Sequence, residues 1–203
     1  MKYLSLLFGT LMSAHALAGS SAPIIPLNQK LVAVDYFDNG RQSGCGLRAT
    51  GETKEGISLN VLITVFMKET GSSFGVIKVV ARKVNMKDGV PVLEDGKITY
   101  ANIGNIRKAW IQSYTGKRPL IYKNGESSHA DAYMVTAEFS STVDMMVAIL
   151  QENFKVGINR HEEGPDDVYL FDKTLSSDEG YKLSVCMKNL RTAMEEHKQK
   201  ENF

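Results

Sequence analysis

The chain has little net charge and almost no long apolar runs, and each of these absences excludes a class of function. Its 24 lysines and arginines are matched by 23 aspartates and glutamates, so no global positive field draws it to nucleic acid. After the N-terminal run no stretch approaches the length of a transmembrane helix without a charge. The sequence therefore predicts neither a transmembrane segment nor a specific nucleic-acid interaction.

The N-terminal run itself has the organisation of a secretory signal peptide. Lys2 precedes an apolar segment that is too short to span a bilayer, and Ala16-Leu17-Ala18 resembles a cleavage site. Cleavage after Ala18 leaves 185 of the 203 residues, enough for one compact domain. We predict a signal peptide at residues 1–18 and a single β-rich domain at 19–203. The signal is typical of a bacterial protein that is periplasmic or secreted.

Cysteine is scarce, with only Cys45 and Cys186 in the chain. Oxidising conditions outside the cytoplasm favour their pairing, so we predict a Cys45–Cys186 disulfide. The alternative is a nucleophilic Cys45 between two glycines, which requires a basic neighbour that lowers the pKa of its thiol.

Histidine is too sparse to form a metal-binding signature. His129 and His161 lie beside carboxylates, one of them Asp131. Brought together by the fold, these groups would form a general acid/base pair or a mixed nitrogen and oxygen metal site. Nothing in their spacing places them together. We therefore predict no metal site and no cofactor, and keep an exported hydrolase that uses His129, Asp131 and His161 as an alternative.

What the sequence does contain is a strong strand pattern. The odd positions from Ile57 to Met67 are all apolar, which is the period of a half-buried strand. A Gly/Ser loop then returns the chain into residues 74–84, where Lys78 and Arg82 share a face with valines. These long basic side chains favour a position nearer the sheet edge. Because a two-stranded ribbon is not stable alone, a larger sheet is expected.

Two later stretches change to helical spacing. One spans about 141–155, with Ser141 as its N-cap and Gly157 as its C-cap, and it is apolar nearly all round from Met145 to Leu150. The other begins with a capping box at Ser176 and runs into a polar tail. The predicted fold is α+β: a mainly antiparallel sheet or sandwich with one buried helix at about 141–155 and a C-terminal helix.

The most distinctive local feature is an absence of acid. Between Lys97 and Gly125 there is no aspartate or glutamate, and basic residues alternate with aromatic ones. Such groups bind phosphate or carboxylate and stack on sugars or bases. The candidate binding residues are Arg107, Lys108, Trp110, Tyr114, Lys117 and Arg118.

Two simpler interpretations of this segment remain open. Strand alternation can place the aromatic residues in the core and the basic ones in solvent. Alternatively, the acidic stretch from Glu162 to Glu179 faces the acid-free segment, so that the charges complement each other within the protein or between proteins.

Since the sequence shows no catalytic constellation, we predict a non-enzymatic exported module. It is expected to bind another macromolecule as an interaction module of a bacterial envelope or secretion assembly. Its partner is expected to be a protein or an anionic or sugar surface, and its oligomeric state is left open. The alternatives are the hydrolase described above and a secreted carbohydrate-binding factor that uses Trp110 and its neighbours.

Overall fold

The computed structural model describes residues 24–25, 27–68, 70–113, 120–121, 130–160, 165–172 and 174–201. Its helices are α1 (Phe139–Gln151) and α2 (Ser177–Glu201). In chain order its strands are β1 (Ile24–Ile25), β2 (Asn28–Asp38), β3 (Arg41–Glu52), β4 (Ile57–Met67), β5 (Ser73–Val84), β6 (Met86–Lys87), β7 (Val90–Pro91), β8 (Leu93–Glu94), β9 (Lys97–Ile98), β10 (Tyr100–Ala101), β11 (Lys108–Ser113), β12 (Leu120–Ile121), β13 (Ala132–Ala137), β14 (Phe154–Asn159) and β15 (Asp167–Phe171). The predicted α+β class with a C-terminal helix is confirmed.

The longer strands form two sheets. The large sheet has the order β10-β5-β4-β3-β2, and β13 pairs with β5 on the same side as β10. The small sheet has the order β1-β15-β14-β11-β12. Every pairing is antiparallel except that of β1 with β15, so the prediction of a mainly antiparallel architecture is also confirmed.

The predicted hairpin is confirmed, but the expectation that its second strand lies nearer the sheet edge is wrong. β4 and β5 pair along their full length. On its other side β5 pairs with β13 and β10, so it is an interior strand. Lys78 and Arg82 are accommodated because they lie on the face opposite the core. The alternate positions Ile77, Val79 and Ala81 are buried.

One hydrophobic core joins both sheets and both helices. It lies on the face of the large sheet that carries Leu47, Val61 and Ile77, and α1, α2 and the small sheet cover this face. Burial of each of these aliphatic side chains contributes roughly 1.5 to 3 kcal/mol to folding. The small sheet adds Ile111 and Val156 to the same core. The face of the small sheet that carries Ile111 and Val156 therefore packs on the core, and the opposite face of this sheet points outward.

The predicted disulfide is present. Cys45 of β3 and Cys186 of α2 are bonded, with their Cα atoms 5.8 Å apart. Both cysteines are consumed by this bond, so Cys45 has no free thiol for nucleophilic chemistry. The bond joins the C-terminal helix to β3, an interior strand of the large sheet.

Helix α1 ends earlier than its apolar pattern predicted. It runs over Phe139–Gln151 rather than 141–155, and Glu152 adopts an extended conformation at its C-cap. Phe154 continues the helical spacing in the sequence, yet it opens β14 and stacks on Phe171, with ring centroids 4.8 Å apart. The predicted cap at Gly157 is also wrong, because this glycine lies within β14.

The start of α1 also differs from the prediction. Ser141 lies inside the helix, and the N-cap is Glu138, which makes no side-chain capping bond. The hydroxyl of Thr142 donates to the carbonyl oxygen of Glu138 at 2.8 Å. Thr142 also packs on Gly75 of β5 so closely that a Cβ there would lie 1.7 Å from its Oγ1. This contact, rather than a cap, places α1 on the sheet.

Helix α2 begins as predicted. The backbone N–H of Glu179 donates to Ser176 Oγ at 3.3 Å, which is the expected capping bond. The Glu179 carboxylate accepts from Lys182 Nζ at 2.6 Å and from the backbone N–H of Ala33 at 2.8 Å, and these bonds lower its pKa. It thereby ties the helix to β2. Among the described residues, no helix is both long enough and apolar enough to cross a membrane.

Candidate functional site

The six candidate binding residues divide into two groups. Arg107, Lys108 and Trp110 are described: Arg107 directly precedes β11, and Lys108 and Trp110 lie within it. Tyr114, Lys117 and Arg118 lie outside the described residues. The site is therefore built from β11 and the strand that pairs with it, β14.

Trp110 lies on the outer face of the small sheet and not in the core. Its neighbours Ala109 and Ile111 are buried against the large sheet, so Trp110 points the other way, together with the exposed Lys108. The interpretation that alternation places this aromatic residue in the core is wrong. Trp110 is half-buried because its indole lies over the neighbouring strand β14.

A glycine makes this position of the indole possible. Trp110 is directly opposite Gly157 in the register of β11 and β14. A Cβ added at Gly157 would lie 1.9 Å from indole Cε2 and 2.2 Å from Nε1. Real atoms do not approach so closely, so the ring occupies space that only glycine leaves empty.

One carboxylate fixes the orientation of the ring. Trp110 Nε1 donates to Asp166 Oδ2 at 2.6 Å, and Asn159 Nδ2 donates to Asp166 Oδ1 at 2.8 Å. Charge-assisted hydrogen bonds of this kind are stronger than neutral ones. The acidic stretch and the acid-free segment thus meet at Asp166, where the contact is a hydrogen bond to the indole.

We call the residues around the ring the indole face. They occupy three consecutive cross-strand pairs on the outer side of the small sheet: Lys108 with Asn159, Trp110 with Gly157, and Gln112 with Lys155. Arg107 has the opposite place in the alternation, and its backbone N–H donates to the carbonyl oxygen of Asn159. The structure therefore groups Lys108 with Trp110 and sets Arg107 apart from them.

The chemistry of the indole face suits binding rather than bond cleavage. An indole held by its N–H presents an apolar ring with a polar edge, which suits the alternating CH and OH groups of a sugar. Lys108 and Lys155 supply ammonium groups that attract carboxylate, sulfate or phosphate. Nothing in this set is arranged as a nucleophile with its base.

The residues of the hydrolase alternative are only partly described. His129 and His161 lie outside the described residues. Asp131 forms an ion pair and hydrogen bond with Arg82, whose guanidinium also lies over the ring of Tyr100, 5.1 Å from its centroid. The hydrogen bond that Arg82 donates to Asp131 raises the pKa of Arg82. The Asp131 carboxylate thus has a structural partner, and the hydrolase remains a hypothesis.

A further cleft, lined mostly by polar and charged residues, was not predicted. It has a volume of about 470 Å³ between the β2–β3 turn and the end of α2. His197, expected on the surface of the tail, is half-buried there beside Gly71, whose missing Cβ would lie 2.6 Å from His197 Nδ1. In the sequence, Gly71 is the one local feature that is compatible with such a close approach of His197. Among the described residues, no three His, Cys, Asp or Glu side chains are grouped to hold a metal ion.

We compared the chain with known protein families, with curated proteins and with solved structures, and none of them matches it.

Proposed function

We propose that the protein is an exported, non-enzymatic binding module, and that its indole face binds an acidic glycan of the bacterial envelope. The observation that carries this proposal is the position of Trp110. Its side chain is held on the outer face of the small sheet, over Gly157 and against Asp166, where it is not needed to fill the core. A large aromatic ring fixed at a surface is typical of a recognition site.

The charge around the ring favours an acidic ligand. Lys108 and Lys155 lie on the same face as the indole, one cross-strand pair to either side of it. The carboxylate of Asp166 lies beside the ring, and it accepts hydrogen bonds from the indole N–H and from Asn159. A sugar stacked on the ring would therefore place its acidic substituents near ammonium groups. The disulfide supports export, since such bonds persist mainly outside the reducing cytoplasm.

Intrinsic fluorescence tests the proposal directly, because Trp110 is the only tryptophan in the chain. The protein is titrated with an oligomer of galacturonic acid and, separately, with a neutral dextran of similar length. We expect a saturable change in tryptophan emission with the acidic oligomer only, and weaker binding at high salt.

Calorimetric titration of variants then assigns the site. Trp110→Ala should weaken binding by about 5- to 150-fold, as expected from loss of an aromatic stacking contact. Lys108→Ala should weaken it less and reduce its salt dependence. Tyr181→Ala serves as a matched control, because Tyr181 is an exposed aromatic residue of α2 away from the indole face. Equal affinity of Trp110→Ala and wild type, or no binding of the acidic oligomer, would disprove the proposal.

A further inference from the structure

The chain between β5 and β10 forms two hairpins of the same geometry, which we call the twin hairpins (residues 86–98). β6 pairs with β7 around Asp88-Gly89, and β8 pairs with β9 around Asp95-Gly96. The φ angles are 52° and 79° in the first turn and 52° and 75° in the second. Two successive positive φ angles are the mark of the type I′ turn, which matches the twist of a hairpin.

Three residues spaced seven apart lock the twin hairpins together. The backbone N–H of Asn85 donates to the carbonyl oxygen of Thr99 at 3.0 Å, and the backbone N–H of Thr99 donates to the carbonyl oxygen of Val92 at 3.0 Å. The backbone N–H of Val92 closes the ring by donating to the carbonyl oxygen of Asn85 at 2.8 Å. Asn85 Nδ2 also donates to Thr99 Oγ1 at 3.1 Å. The closed ring of bonds makes this a preorganised unit and not a loose loop.

The twin hairpins and the adjoining β10 expose apolar side chains to an unusual degree. Ten large hydrophobic side chains are exposed among the described residues, and five of them lie in this short stretch: Met86, Val90, Leu93, Ile98 and Tyr100. Exposed apolar side chains concentrated in one rigid element are typical of an interaction surface.

A second apolar surface, which no described residue covers, lies between the two helices, and we call it the helix groove. Its volume is about 550 Å³. The lining residues are Phe139 and Val143 of α1 and Met187, Lys188, Leu190, Arg191, Met194 and Glu195 of α2. Methionine side chains adapt readily to a binding partner. The floor of the groove is apolar and its rim is charged.

We propose that the twin hairpins of one copy of the protein dock into the helix groove of a second copy. Both surfaces carry several apolar side chains, and the charged side chains beside them have opposite net charge. The twin hairpins carry the carboxylates of Asp88, Glu94 and Asp95 against two lysines, Lys87 and Lys97.

The groove supplies the opposite charge. Arg191 is paired with Glu195 at 2.8 Å, which leaves Lys188 as a cation with no ion-pair partner among the described residues. An acidic hairpin that entered the groove would meet this ammonium group.

The positions of the two surfaces mean that the twin hairpins can enter only the groove of another copy. The twin hairpins follow the C-terminal end of β5 at Val84, whereas α1 begins near the N-terminal end of the same strand, where Gly75 contacts Thr142. The nine residue steps from Gly75 to Val84 span about 30 Å in an extended strand, so one copy cannot fill its own groove. A head-to-tail contact of this type builds a ring or an open chain of copies, depending on the rotation between neighbours.

Complementary variants test the arrangement. One variant, Leu93→Ser/Ile98→Ser, removes an exposed apolar pair from the hairpins, and the other, Lys188→Glu/Met194→Glu, places carboxylates in the groove. In sedimentation velocity at up to about 1 mM, wild type should associate increasingly with concentration, and each variant alone should be monomeric. An equal mixture of the two variants should give a 1:1 dimer and nothing larger, because one intact hairpin unit then meets one intact groove.

The control and the contrary results are equally specific. Tyr181→Ser removes an apolar side chain that is 73% exposed and lies on neither surface, so it should associate as wild type does. Circular dichroism checks that each variant is folded, and Lys188→Glu alone replaces the double groove variant should Met194→Glu unfold the protein. A wild type that stays monomeric, variants that associate unchanged, or a mixture that stays monomeric while wild type associates would each overturn the proposal.

Discussion

The indole of Trp110 covers Gly157 so closely that a methyl group on residue 157 would lie 1.9 Å from the ring. The glycine therefore determines where the tryptophan side chain lies. Gly157→Ala should push the indole off β14, break its hydrogen bond to Asp166 and cost about 1 to 3 kcal/mol of stability through overpacking. Tryptophan emission should shift to the red, and the affinity for an acidic glycan should fall.

Gly180→Ala is the matched control for this substitution. Its new methyl group would meet only Leu175 Cδ2, at 4.0 Å, within the first turn of α2, so stability should be unchanged or slightly higher. Unaltered emission and unfolding of Gly157→Ala would contradict the close contact between residues 110 and 157.

The Cys45–Cys186 disulfide closes a loop with a sequence separation of 141. For a loop of this length the chain-entropy model gives a stabilisation of roughly 4 to 5 kcal/mol. Cys45→Ala and Cys186→Ala should each lower the free energy of unfolding by a similar amount, and the double variant by little more than either, because the same bond is lost. Urea unfolding under non-reducing conditions measures this, and additive losses would argue against a shared origin.

Substitutions in helix α1 should lower the stability of the protein on one side of the helix only, although its sequence is apolar nearly all round. Ile149 is buried, whereas Val147 is 46% exposed. Ile149→Ala should therefore cost about 2 to 5 kcal/mol, and Val147→Ala should stay within about 0.5 kcal/mol of wild type. Denaturant unfolding of the two variants compares them directly. A large loss at Val147 would mean that a further surface covers this side of the helix.

Tyr169 has a buried hydroxyl with no hydrogen-bond partner among the described residues. Burial, and then the nearby charge of Asp167, raises the pKa of Tyr169 from its ordinary 10.0 to about 12. Tyr169→Phe should stabilise the protein by about 1 kcal/mol at neutral pH, because it removes an unsatisfied polar group. Urea unfolding of both proteins measures this difference.

The same substitution has a defined pH dependence. Because the pKa of Tyr169 is higher in the folded than in the unfolded state, the un-ionised phenol gives wild type its full stability below pH 10.0, and this stability is lost as the pH rises towards about 12. The advantage of Tyr169→Phe should therefore grow above pH 10. An advantage that is constant from pH 7 to 11 would show that the phenol titrates normally.

Sequence reasoning found only part of the candidate site. It singled out Lys108 and Trp110, because their residue types and the lack of acid around them are visible locally. It did not find Asn159, and it included Asp166 only as part of an acidic stretch that, in one interpretation, faces this segment. The pairing of β11 with β14 and the hydrogen bonds of Asp166 bring these two residues to Trp110. Gly157 was assigned to a helix cap, since a glycine after an apolar run is the usual signal for one.

Local patterns by themselves determined the hairpin of β4 and β5, the Ser176 cap and the choice of disulfide partners, because alternation, capping and the presence of only two cysteines need no knowledge of distant neighbours. Tertiary structure decided the rest. Whether β5 is interior depends on β13, and whether α1 stops at Gln151 depends on the place that β14 offers Phe154 beside Phe171. Alternation requires Ala109 and Trp110 to face opposite sides of β11, but only the packing of one sheet on the other decides which side becomes the core.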